Sequence, residues 1–282
     1  MDFNNRVKEH MAKYKVSKLG IEKDGLYNNK PYKHILPEKM SSYNIIENYR
    51  EDFYSSLYKE NIKYHKCFHH LNSSQAMCIN FFYPLIKEDK IKILLDVIGV
   101  NDGQNNEVGE VCFEKGSHLK ERTSFDFYIK LLSGIEVFFE IKYTEEGFGK
   151  TDIDDKHKRK YEEKYKKVLE ANDEINQENI NEQYFLNNYQ LMRNIIHISD
   201  RRYIVFLYPK ENHKIENELK ASKDIIKESY HSHLIILTWE KLLKERLRSS
   251  IQKSRQIIIL MNFHINICLN QRLTWLKSIT FS

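Results

Sequence analysis

Two short runs of alternating and continuous apolar residues dominate the pattern. Thr123 to Leu132 and Ile135 to Lys142 are rich in β-branched and aromatic side chains and flank a Ser133-Gly134 turn. They predict a β-hairpin buried in a sheet. Upstream, Ile45, Ile46, Tyr49, Phe53 and Leu57 recur at helical spacing and predict one amphipathic helix from Ile45 to Tyr64. Ser73 or Ser74 can cap a second helix running to about Leu85. Ile91 to Val100 suits a helix or a strand. Val108 to Glu114 alternates as a strand, with Val111 and Phe113 on one face and Glu110, Cys112 and Glu114 on the other. Gln183 to Ile198 is again amphipathic, Arg202 to Tyr208 and His233 to Leu237 are short apolar strands, and Trp239 to Arg248 a helix. The order is helix, three strands, helix, strand, an α/β arrangement.

Other stretches are polar. Residues 1–24 predict a short helix or a loose lead-in, and the two prolines of Leu26 to Pro37 predict an ordered loop on the core. The tract from Lys156 to Lys167 mixes Lys158, Arg159 and Lys160 with Glu162 and Glu163 and predicts an exposed helix. It serves either as a solvated face or as a phosphate-contacting flank. Gln256 to Leu269 is too short and polar to span a membrane and reads as an extra strand or docked helix.

Composition narrows the class. The chain has 282 residues, 41% of them hydrophobic, enough for one elaborated domain or one domain with extensions. A net charge of +5 is compatible with nucleic acid without indicating it. Four scattered cysteines form no CxxC pair, which argues against a zinc ribbon or disulfide framework and for a reducing, cytoplasmic setting. The Met-Asp-Phe-Asn-Asn start lacks a signal-peptide pattern. His69 and His70 after Cys67 diverge on either a strand or a helix, so they make a poor metal site.

Candidate chemistry sits on the hairpin. Asp126 lies mid-strand among Phe125, Phe127 and Tyr128, while Glu140 and Lys142 share one face of the following strand. Burying three ionisable groups is costly unless they pair or hold a metal. Two carboxylates and an ammonium suit metal-assisted phosphodiester hydrolysis, in which the carboxylates hold Mg²⁺ and the lysine serves the attacking water. Glu140-x-Lys142 alone reads as a cross-strand salt bridge; Asp126 and the apolar surroundings favour the site. Glu114 is a metal-site helper or a surface charge. Gln190, Arg193 and Asn194 fall close to one face of an apolar helix, as expected of residues that meet a site.

Asp126 followed by Glu140-Ile-Lys142 resembles the PD-(D/E)xK nuclease superfamily, with Phe125 where a proline is usual. The blocks Leu71 to Leu85 and Asn188 to Asn194 resemble a bacterial branch of it, and the likeness covers roughly residues 25–240. It implies an α/β, restriction-endonuclease-like core over 66–248. An N-terminal helical extension (1–65) and a C-terminal extension (249–282) would flank it. It implies a nuclease using Mg²⁺, or Mn²⁺ in its place, on nucleic acid, DNA ahead of RNA. Asp126 and Glu140, helped by Glu114, would hold the metal. Lys142 and Gln190 would be catalytic, while Arg193, Lys158, Arg159 and Lys160 would contact nucleic acid. The superfamily's first core helix often supplies an acidic residue; here Gln75 is the polar candidate, with no Glu from Ser73 to Ile86. That gap keeps open an inactive, nucleic-acid- or partner-binding relative, or a purely structural trio.

Overall fold

A five-stranded mixed sheet carries the hairpin at its centre. The computed structural model describes residues 1–242 apart from 104–105, 118–123, 150 and 153. Ahead of the sheet come α1 (Phe3–Ser17), β1 (Gly25–Tyr27), β2 (Lys30–Tyr32), α2 (Glu47–Ser55), α3 (Ser74–Lys87) and α4 (Ile91–Ile98). The first three sheet strands follow: β3 (Val108–Gly116), β4 (Ser124–Leu131) and β5 (Glu136–Ile141). Then come α5 (Asp155–Lys160), α6 (Lys166–Glu170), α7 (Glu182–Asn187), α8 (Tyr189–Ile195), β6 (Arg202–Tyr208), α9 (His213–Ser222), β7 (Leu234–Thr238) and α10 (Trp239–Lys241). The sheet order is β3-β4-β5-β6-β7; β3, β4 and β5 pair antiparallel, and β5, β6 and β7 pair parallel. This is a mixed α/β fold with an N-terminal helix.

Both faces of the sheet are covered, as the apolar hairpin requires. On one face Phe127, Phe139 and Ile141 pack with α3, where Phe82 stacks on Phe127 at 4.0 Å between ring centroids. Val7 and Met11 of α1 and Phe53 of α2 belong to this same cluster. On the other face Phe138, Ile204 and Phe206 pack with Leu191, Met192 and Ile195 of α8.

Several elements differ from the sequence expectation. Ile45 to Tyr64 is not one helix: α2 ends where Ser56 turns extended (φ −87°, ψ 157°), a 3-10 turn follows, and Leu57 is 77% exposed. Leu26 to Pro37 contains the β1–β2 hairpin rather than a loop. Asn28 and Asn29 both take positive φ (48° and 61°), the geometry of a primed two-residue turn that asparagine tolerates. Ile91 to Val100 resolves as helix α4, closed by Gly99 at φ 79°. Gln183 to Ile198 breaks at Asn188 (φ −117°, ψ 36°) into α7 and α8. Helix α9 has no counterpart in the expected elements. The expected face for Glu114 is also wrong. Its φ of 55° interrupts the alternation, so Cys112 packs beside the α8 cluster while Glu114 reaches the start of α3. Thr123, the tail of the expected Trp239 to Arg248 helix, the 249–282 extension and the Gln256 to Leu269 segment lie outside the described residues.

Candidate active site

The site forms where β4 and β5 part. Their pairing runs up to Phe127 opposite Phe139. Successive strand amides point to opposite neighbours, and Lys142 N–H bonds Leu207 on the β6 side at 2.9 Å. The Ile141 N–H therefore faces β4, and there Asp126 Oδ2 accepts it at 2.6 Å. A side chain takes the place of a ladder carbonyl, and the two strands diverge around it. Continued one residue beyond the last pair, the register sets Asp126 opposite Glu140.

Glu140 and Lys142 are buried, at 4% and 5% exposure. Lys142 Nζ lies 2.9 Å from Glu140 Oε1. Gln190, on α8, closes the cluster: its amide nitrogen donates to Glu140 Oε1 at 2.8 Å and its carbonyl accepts from Lys142 at 3.0 Å. The amide orientation is forced, since an ammonium only donates and a carboxylate only accepts. The Phe148 ring lies 4.8 Å from the ammonium. The Trp239 indole N–H donates to the Lys142 carbonyl at 3.5 Å.

Electrostatics divide the pair unequally. Burial, and then the charge of Glu140, push the Asp126 carboxyl well above the usual carboxylate range; the Ile141 amide and Lys142 only partly offset them. Burial pulls the Lys142 pKa down, but Glu140 and Glu145 outweigh it and hold the group above its ordinary value. Lys142 is thus an ammonium at neutral pH. Two of its three donors are engaged, and the third has no hydrogen-bond partner among the described residues.

These residues fit a small hard cation. Asp126 Oδ1 and Glu140 Oε2 accept no hydrogen bond among the described residues. Facing carboxylates, one of them raised in pKa first by burial and then by the other's charge, are relieved by positive charge. The donor set stops at two: among the described residues no three of His, Cys, Asp and Glu gather as a metal group. Glu114 stands beside the pair, with Oε1 accepting from Gln75 at 2.7 Å and Oε2 from Ser124 at 2.8 Å. Gln75 is buried and also accepts the His65 N–H at 2.9 Å.

The basic residues separate into two groups. Lys160 donates to the Tyr189 hydroxyl at 2.8 Å, and Arg193, three residues along α8 from Gln190, lies over the same ring at 4.9 Å. Lys158 and Arg159 are exposed on α5. The tract packs through Tyr161, Tyr165 and Leu169, at i, i+4 and i+8, across a π-helical turn at Tyr161–Tyr165. Asn194, singled out with Gln190 and Arg193, is fully buried, and its amide atoms have no hydrogen-bond partner among the described residues. Sequence reasoning missed Tyr189, Ser124 and Phe148. The clues available were adjacency to Gln190 and Asp126, and the Gly147-Phe148-Gly149 turn.

A protein-family model described as restriction endonuclease associating with ARP matches residues 8–255. The chain belongs to this restriction-endonuclease-like family. No curated protein and no solved structure matches the chain. Among the described residues no helix is long and apolar enough to cross a membrane.

Proposed function

We propose that this protein is a divalent-metal-dependent nuclease of the PD-(D/E)xK type, cleaving phosphodiester bonds, with DNA its substrate ahead of RNA. The observation that carries the reading is Asp126, raised in pKa and facing Glu140, beside an ammonium with a donor to spare. Asp126 and Glu140 would hold Mg²⁺, or Mn²⁺ in its place. Such an ion supplies Lewis-acid stabilisation of phosphate charge and of an attacking water.

The chain's own residues do the rest. Lys142, charged and clamped by Glu140 and Gln190, aims its remaining N–H at the attacking water or at a phosphate oxygen gaining charge. It acts as a donor, not as a base, because its pKa is raised. Gln190 fixes the lysine and Glu140 in register by bonding both. Glu114, held by Gln75 and Ser124, adds negative potential next to Asp126. Lys160 and Arg193 offer cations for flanking phosphates, with Lys158 and Arg159 further out.

The test is cleavage of labelled duplex and single-stranded substrates by purified protein in Mg²⁺, Mn²⁺ or EDTA. Asp126→Ala and Lys142→Ala are each expected to lower cleavage at least about a hundredfold, with a much smaller loss of binding. Wild-type cleavage by either variant would overturn the assignment.

A further inference from the structure

The N-terminal layer presents a second surface whose chemistry is separate from the carboxylate site. The β1–β2 hairpin is stitched to the segment before α3: Ile35 bridges His70, Leu36 N–H donates to the His69 carbonyl at 3.0 Å, and Leu71 N–H to the His34 carbonyl at 3.2 Å. Residues 25–37 and 63–73, which build this layer, contain four lysines, four histidines and no acidic residue. The nearest carboxylates lie at its margins: Asp24, paired with Lys15, and Glu38 at the two ends of the first segment, and Glu114 beside His65.

Within it, Tyr27 and Tyr32 stand on the two hairpin strands, 37% and 38% exposed. Their centroids are 6.5 Å apart in an edge-to-face pair. The layer behind braces both rings, His70 meeting Tyr27 at 5.1 Å and His34 meeting Tyr32 at 5.9 Å. Lys30 and Lys33 flank them, and Lys66 is exposed on the neighbouring segment. Two paired aromatic rings, each a little over a third exposed, among lysines and with no carboxylate in these segments, match the requirements of a strand with unpaired bases. Rings stack on bases of any identity, and ammonium groups follow the phosphates. Protein–protein patches are instead depleted of lysine relative to the rest of a protein surface.

The segment also leads to the site. His65 lies 4.0 Å from Glu114, and Asn72 donates at 2.8 Å to the Thr144 hydroxyl, two residues past Lys142.

We propose that this layer binds single-stranded nucleic acid, with Tyr27 and Tyr32 stacking on unpaired bases and Lys30 and Lys33 contacting the backbone. The nuclease reading is needed only for where the strand leads; the binding stands without it. The experiment is fluorescence anisotropy with the full chain in EDTA, using labelled oligothymidylate, oligouridylate and blunt duplex. The double variant Tyr27→Ala/Tyr32→Ala is expected to weaken single-strand binding at least about tenfold, with duplex affinity little changed. Tyr27→Phe/Tyr32→Phe should restore it, and Lys30→Glu/Lys33→Glu should weaken it again. The two oligomers tell DNA from RNA.

Should the alanine pair lower the melting temperature, the phenylalanine and glutamate pairs decide. Wild-type protein that fails to bind either oligomer, or glutamate and alanine pairs that bind as wild type, would overturn the proposal. Binding without cleavage in Mg²⁺ would sink the nuclease reading and leave this one intact.

Discussion

Asp126→Asn separates a cation-holding pair of carboxylates from a structural salt bridge, because Lys142 already has another partner. Its ammonium lies 2.9 Å from Glu140, while Asp126 accepts the Ile141 amide. Neutralising Asp126 leaves the buried ammonium paired, and an Asn carbonyl can still accept from Ile141. What disappears is a carboxyl raised by burial and by Glu140. A raised carboxyl favours the fold below its unfolded pKa of about 4, and that contribution is lost as pH rises through the folded value. Above that window each unit of elevation costs about 1.4 kcal/mol. In EDTA near neutral pH, Asp126→Asn should therefore melt at or above the wild-type temperature, and its advantage should grow as pH rises from about 4. Mg²⁺ at about a hundred times its Kd should add about 2.7 kcal/mol to wild type and much less to the variant. At roughly 2–4 °C per kcal/mol, that is a readable shift in a thermal melt. Glu140→Gln is the contrast. It removes the carboxylate paired with the Lys142 ammonium, which is 5% exposed, leaving Gln190 as its hydrogen-bond partner and Glu145 and Asp126 as the remaining charges acting on it; breaking such a pair costs up to about 3–5 kcal/mol with or without Mg²⁺. A Mg²⁺-independent drop for Asp126→Asn as large as that for Glu140→Gln would refute the reasoning.

Gln190→Ala removes the bond to each member of the pair and should lower kcat by about 10²-fold with little change in KM; steady-state cleavage kinetics check this, and an unchanged kcat removes Gln190 from the site. Reversing Lys158, Arg159 and Lys160 to Glu should weaken binding to all duplex sequences alike and flatten the slope of log affinity against log salt by about 0.9 per lost contact. Lys160→Ala alone, which also releases Tyr189, shows how much of that effect is positional; an unchanged slope in the triple variant assigns the tract to a solvated face.

The hairpin, the α3 and α8 segments and the β6 and β7 runs were legible because burial on both faces writes apolar residues continuously into the sequence. Gln190 was legible for a related reason: a polar side chain on an apolar helix needs a partner, and it has two. The places where reading failed are set by single backbone conformations. Asn188 splits one periodic segment into two helices without disturbing its apolar spacing. Glu114 at positive φ leaves the face that alternation assigns it, and no pattern of period two announces that. The Asn28-Asn29 turn lay between strands of three residues, too short to show alternation, and Pro31 masked the second. Helix α9 has a mostly polar sequence and buries only Ile215, Leu219 and Ser222, so its periodic signal was thin.

The cluster is also split in time of synthesis. Asp126, Glu140 and Lys142 emerge together, and β3, β4 and β5 can pair locally. Gln190 follows Glu140 by 50 residues and Lys142 by 48, and β5 finds its parallel partner only once β6 has been made. Until then Glu140 alone pairs with the ammonium, and the second face of the sheet lacks its helix cover. A nascent or broken chain that stops short of α8 carries the acidic pair and the lysine but not the part that orders them. The clamp across the cluster is therefore completed only once most of the polypeptide exists.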